Sequence, residues 1–281
     1  MPVKPSLLLL LCTLILAPLA RAADTSLGAG KVIALDYFYN HQEKKGKQFH
    51  YIWDDKANSG YSKFGLIWQQ YGATLARVKE APTPDDLSHY SVYIICCPNT
   101  PDKAAGGKAN YIEEPAISAI ADWVRGGGVL AMFANDVHNC EFDHYDQLAT
   151  KFGITFHKDI RNAPIPTHAQ LGVGVFDTFP DHPIFQGVHL IFMKEICTLG
   201  VTPPATALLT APKQANEGGT GTDIIMASSH YGKGLVFAVG DPWLYNEYID
   251  IKTPQYDVQN HLAGDNLVKW LLTAASVPQA K

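Results

Sequence analysis

The chain has 281 residues, 47% of them hydrophobic and 17% charged, with a formal net charge of −5. That balance excludes a disordered, collagenous or coiled-coil chain, and it lacks the basic field that a nucleic-acid binder needs. The length suits one large domain that buries its own core without metal or disulfide staples.

Residues 1–22 read as an export signal. Lys4 supplies a positive start, residues 7–16 form an apolar run broken only by Cys12 and Thr13, and Ala20-Arg21-Ala22 fits the small-x-small cleavage rule. The run is too short for a comfortable membrane span. Cleavage would leave residues 23–281 as a single α/β domain, secreted or periplasmic and free of the membrane. It would also remove Lys4 and Arg21, moving the formal charge from −5 to −7.

From there apolar runs alternate with helical patterns, the signature of an α/β sheet. Residues 32–35 form a short buried strand. Residues 59–71 are helical, with Tyr61, Phe64, Ile67, Trp68 and Tyr71 at helical spacing, ended by Gly72. Strands are expected at 74–78 and 92–97, the second nearly all apolar as buried parallel strands are. A helix over 113–125 presents Ile117, Ile120, Ala121 and Val124 on one face. Gly126-Gly127-Gly128 ends it before a fourth strand at 129–134. A further helix is expected over 141–152, then short strands and loops over 154–210. Strands at 224–228 and 235–239 flank the turn Tyr231-Gly232-Lys233-Gly234, and a helix over 260–274 closes the chain. The expected fold is a three-layer α/β/α sandwich with a mostly parallel sheet and an antiparallel edge.

Four cysteines follow the signal. Adjacent Cys96 and Cys97 should point to opposite faces of their strand as small core residues. The export route permits a Cys140–Cys197 disulfide, which spacing alone does not establish.

Ligands of open parallel sheets sit beyond the carboxyl ends of the strands. Here those ends are crowded with polar and aromatic residues. The first loop carries Asp36, Tyr37, Asn40, His41, Trp53, Asp54 and Asn58. Asn110-Tyr111-Ile112-Glu113-Glu114 follows the third strand. Asn135, Asp136, Asn139, Glu141 and His144 follow the fourth, and Asp241, Trp243, Asn246 and Glu247 follow the late strand. The opposite strand ends are plainer. Aromatic faces stack on sugar rings while carboxylates, amides and imidazoles bind hydroxyls, so these residue types suggest a saccharide. Trp53, Trp243, Tyr37 and Tyr245 are the candidate platforms, with core packing as the alternative for each.

Glu141 and His144 are three apart at a helix start and share a face. They are the candidate proton-transfer pair, with Asp136 and Asp241 in support. Alternatively Asp136 or Asn139 caps the helix and Glu141 complements its positive end. Asp136, His138, Glu141 and His144 could also hold a divalent cation, but the spacing matches no zinc signature, and no cofactor is expected. A nucleophilic elbow is absent: Asn135-Asp136 stands after the fourth strand, without GxSxG or GxCxG.

The order of these pieces, from 90 to 135 and again from 231 to 241, resembles the class I glutamine amidotransferase-like superfamily and its ThuA-like branch. The resemblance implies a flavodoxin/glutamine-amidotransferase-like sheet. It does not carry the amidotransferase activity, because Asn135 or Asp136 occupies the catalytic cysteine position. Asp36-Tyr37-Phe38-Tyr39-Asn40, Trp53-Asp54-Asp55, Asn58-Ser59-Gly60, Asn135-Asp136, Asn139-Cys140-Glu141-Phe142 and Gly240-Asp241-Pro242-Trp243 look like domains that accompany unsaturated rhamnogalacturonyl hydrolases. That narrower resemblance implies a role with uronate-containing oligosaccharides of rhamnogalacturonan or ulvan type, by hydrolysis or elimination. The alternative is a non-catalytic carbohydrate-binding or accessory domain. A uronate needs a local positive patch, for which Arg161 or Lys44, Lys45, Lys47 and Lys56 are the candidates.

Overall fold

A computed structural model describes residues 24–161, 173–210, 216–217, 223–252 and 257–278. The expected signal segment lies outside these residues. The core is a seven-stranded sheet. Its members are β1 (Val32–Asp36), β2 (Thr74–Val78), β3 (Val92–Cys96), β4 (Val129–Phe133), β5 (Ala205–Thr210), β6 (Ile224–Tyr231) and β7 (Gly234–Val239). The order across the sheet is β5-β6-β7-β4-β3-β1-β2. The pairs β2–β1, β1–β3, β3–β4 and β4–β7 are parallel, and β7–β6 and β6–β5 are antiparallel. The fold is therefore the expected α/β sandwich, with its antiparallel edge at β5–β6.

Every residue of β3, β4 and β7 is buried, as a sheet covered on both faces requires. α1 (Ser62–Gln70) and α5 (Asn260–Ala274) pack together, while α2 (Pro84–Ser88), α3 (Ala116–Gly126) and α4 (Tyr145–Ala149) form a second layer through α3. The β1–α1–β2 crossover runs one way along the sheet and β3–α3–β4 the other, so right-handed connections place these helices on opposite faces. Phe133 of β4 anchors the first layer, its ring 6.2 Å from Phe64 and 4.9 Å from Tyr245.

Two helices start later than periodicity suggests. Pro115 disfavours helical backbone at Glu114, so α3 begins at Ala116 rather than near 113. The segment expected to be helical over 141–152 becomes helical only at Tyr145, and Thr150–Phe152 closes it as a 3-10 turn. The two glycines after α3 serve geometry. Gly127 has φ of 123°, and a Cβ on Gly128 would stand 2.3 Å from the Trp123 ring.

Candidate functional site

β1 and β3 are the neighbours from which the chain departs in opposite directions, so the crevice of an open sheet belongs at their carboxyl ends. In this protein a polar plug closes it. Asp36 ends β1, and its Oδ2 accepts the Tyr39 and Asn40 N–H groups, both at 2.9 Å. Its Oδ1 accepts from the Phe38 N–H at 3.3 Å and the Tyr93 hydroxyl at 3.2 Å. Burial pushes this carboxyl up to about 7, against the opposing pull of its backbone donors. Asn40 donates through Nδ2 to the carbonyls of Cys96 and Cys97, at 3.1 and 3.2 Å. Cys97 has already left the strand, with φ of +46°, so the two thiols do not simply alternate across the sheet.

The other strand ends repeat this pattern. Asn135 donates from Nδ2 to the Tyr51 hydroxyl at 3.0 Å and accepts the Asp136 N–H at 2.8 Å. Asp136 accepts the His138 N–H at 2.8 Å and Asn139 Nδ2 at 2.5 Å. It thus caps its own turn rather than α4. Asp241 accepts the Lys194 and Trp243 N–H groups, both at 2.8 Å, and burial raises its carboxyl well above the ordinary range. Asn246 accepts the Tyr248 N–H at 2.9 Å. Asp36, Asp136 and Asp241 are each only 1% exposed. Their oxygens hold loop backbone in place, which is the usual work of buried short carboxylates.

The aromatic candidates divide in the same way. Trp53 and Tyr245 are core residues, with Trp53 Nε1 donating to the Ala76 carbonyl at 3.1 Å. Tyr37 is buried and donates to Asp54 Oδ2 at 3.0 Å. Asp54 is exposed and pairs with Arg77 at 2.6 Å, which holds its carboxyl below the usual range. Trp243 is half-buried and stacks on Tyr248 at 4.6 Å. Asn58 is exposed, and half-buried His41 reaches the Lys108 carbonyl through Nε2 at 2.8 Å. Glu247 opens the 3-10 turn Glu247–Asp250, and its side chain lies outside the described set.

Glu141 and His144 do come together. Glu141 sits ahead of α4, where Oε1 accepts the Asp143 N–H at 3.0 Å and Oε2 the His144 N–H at 3.1 Å. His144 Nδ1 lies 3.1 Å from Glu141 Oε1, and Nε2 lies 3.7 Å from Glu113 Oε1. The Tyr111 ring stacks on the imidazole at 4.2 Å. If Nδ1 donates to Glu141, the neutral ring keeps its lone pair on Nε2, facing away from Glu141 and ready to accept a proton. Glu141, His144, Tyr111, Asp143 and Lys158 line an open cleft of about 400 Å³. Beyond Tyr111 lies a larger groove of about 770 Å³, walled by Phe38, Tyr39, Tyr111, Glu113 and Trp123 among others. The sequence places Tyr111 and Glu113 on the rim but assigns them no role. Their contact with His144 joins the β3–α3 connection to the β4–α4 connection, and no local spacing signals it.

Among the described residues, no group of three or more His, Cys, Asp or Glu side chains is arranged to hold a metal ion. Asp136 and His138 therefore do not join Glu141 and His144 in such a site. Cys140 and Cys197 are free thiols, which corrects the disulfide considered above. Burial pushes the thiols of Cys96, Cys140 and Cys197 well up, so none is a ready nucleophile. Arg161 is 1% exposed beside the Phe176 ring and cannot serve a surface patch, whereas Lys44, Lys45, Lys47 and Lys56 are exposed. Among the described residues no helix is long and apolar enough to cross a membrane.

The fold is a mostly parallel α/β sandwich, and Asn135-Asp136 rather than a cysteine follows its fourth strand. No protein-family model matches the chain, and no curated protein matches it. Solved structures do resemble it. The mmIFT52 N-terminal domain is 15% identical, with TM-score 0.62, over 86% of this chain and 98% of that one. The cytoplasmic protein STM1381 from Salmonella typhimurium LT2 is 14% identical, with TM-score 0.54, over 88% of this chain and 100% of that one. A protein described as ThuA-like, from Bacteroides uniformis ATCC 8492, is 14% identical, with TM-score 0.48, over 85% and 91%. At these identities the first two show a likeness of fold alone.

Proposed function

We propose that this chain is an exported carbohydrate-active protein that converts uronate-containing oligosaccharides in the Tyr111–His144 cleft, by elimination rather than hydrolysis. The observation that carries the reading is the Glu141–His144 pair on the cleft wall, with His144 Nε2 turned away from Glu141 and Lys158 on the same cleft. Elimination needs a base that takes the sugar C5 proton and returns it to the C4 oxygen as the C4–O bond breaks, and a cation for the uronate carboxylate. His144 Nε2 fits the first role and Lys158, now paired with Asp143 at 2.5 Å, the second. Glu141 is a positioning residue that orients the imidazole. Hydrolysis would need two free carboxyl groups across the scissile bond, and Glu141 already accepts two backbone N–H groups. Export rests on the pattern of residues 1–22 alone.

The test is incubation of the purified protein with pectin-, ulvan- and gum-derived oligosaccharides, read by mass spectrometry. An unsaturated product without added water is expected, and it should vanish in His144→Ala. A product that gains water would replace elimination by hydrolysis. A second reading, a non-catalytic binding or accessory domain, is favoured by the engagement of Asp36, Asp136 and Asp241 with backbone donors. Thermal stabilisation by one glycan with no product from any would select it.

A further inference from the structure

The groove beyond Tyr111 differs in character from the cleft. Its wall joins the Phe38, Tyr39, Tyr111 and Trp123 side chains to Pro82, Pro84 and Pro115, and no residue of that wall is Lys, Arg or His. Its charge is negative. Glu113 is well exposed, with His144 Nε2 at 3.7 Å from its Oε1. Glu114 accepts the Ser118 N–H at 3.1 Å at the start of α3, and Asp122 is offset by Arg125. The hydroxyl of Tyr39, a fully buried residue of the same wall, has no hydrogen-bond partner among the described residues. Aromatic faces beside the exposed Glu113 carboxylate favour a cation carried on an apolar body.

We infer that this groove binds an organic ammonium group on a compact ring, of which a protonated amino sugar is the saccharide form, with the nitrogen drawn to Glu113 and the ring seated against Tyr111. The amino-sugar form rests on the saccharide reading of the neighbouring cleft; the ammonium preference does not. A glycan that crosses Tyr111 would then place its anionic residue beside Lys158 and its amine-bearing residue in the groove.

Calorimetric titration with cyclohexylammonium, cyclohexanol, glucosamine oligomers and glucose oligomers tests the inference. The two ammonium ligands should bind and the two neutral ones should bind at least tenfold more weakly, since only an ammonium makes a charged hydrogen bond to Glu113. Glu113→Gln should weaken the ammonium ligands roughly tenfold. Ser118→Arg, at an exposed helical position on the wall, should abolish their binding without touching Glu141 or His144. Equal binding of cyclohexanol and cyclohexylammonium, or binding of neither, overturns the inference. Conversion of uronate oligosaccharides with no ammonium binding would sink the groove alone. Ammonium binding with no saccharide bound or converted would sink the functional reading alone.

Discussion

Asp241 and Glu141 both follow sheet strands at their carboxyl ends, yet they do different work. Asp241 is sealed in the plug, and its two oxygens terminate two backbone N–H groups from separate segments. Glu141 also accepts backbone donors, but it stands on an open cleft and has an imidazole as a third partner. The plug shows acidic side chains as structural acceptors, and the cleft shows a buried one whose Oε1 also meets an imidazole that it can orient. A carboxylate that leaves nothing free cannot transfer a proton, so the two regions separate stability from chemistry.

That separation can be broken by substitution. The largest effect belongs to the cleft: His144→Ala should lower turnover of the best substrate by a factor on the order of 10² to 10⁴, the usual worth of a general base. Its unfolding free energy should stay within about 1 kcal/mol of wild type, because the ring is partly exposed. Steady-state kinetics beside urea denaturation would show both, and full activity would remove His144 from the mechanism.

Asp241→Ala should behave in reverse. It leaves the Lys194 and Trp243 N–H groups without their acceptor in a buried setting, at a cost of roughly 2–4 kcal/mol in denaturant unfolding. Asp241→Asn, which keeps an acceptor oxygen, should recover most of it. A neutral Asp241→Ala would mean that the plug is not held from this point.

Asp36 sharpens the comparison through pH. Its carboxyl is pushed from 3.8 to about 7, so the folded protein holds this proton more tightly than the unfolded chain. The corresponding stability is fully present below the unfolded value and is lost as pH rises through about 7. Asp36→Asn should therefore flatten the decline in stability between those limits, measured by urea midpoints at several pH values. Parallel profiles for variant and wild type would show that Asp36 does not titrate there. Smallest is the exposed Asp54–Arg77 pair: Arg77→Ala should cost less than about 1 kcal/mol and leave glycan binding unchanged.

The sheet was legible because its signal is local. Fully apolar runs such as Val92–Cys96 and Val129–Phe133 have few alternatives to buried parallel strands, and the last helix runs over Asn260–Ala274 as its pattern suggests. The starts of α3 and α4 were less legible, since Pro115 and the Glu141 cap act on single residues within an otherwise helical pattern. Trp53 and Tyr245 look like sugar platforms in a rim sequence, but the loop that carries Trp53 folds under itself and takes the ring into the core.

By itself the sequence determined the alternation of strands and helices, the crowding of polar residues at one end of the sheet, and the three-residue spacing that lets Glu141 meet His144. Periodicity and short-range geometry suffice for each of these. Only the tertiary structure decided what each acid meets. Burial and hydrogen-bond partners depend on segments distant in sequence, as when Lys194 supplies a donor to Asp241 or Glu113 approaches His144. A carboxylate has the same composition in both settings, and the desolvation and donors around it make one a cap and another part of a site.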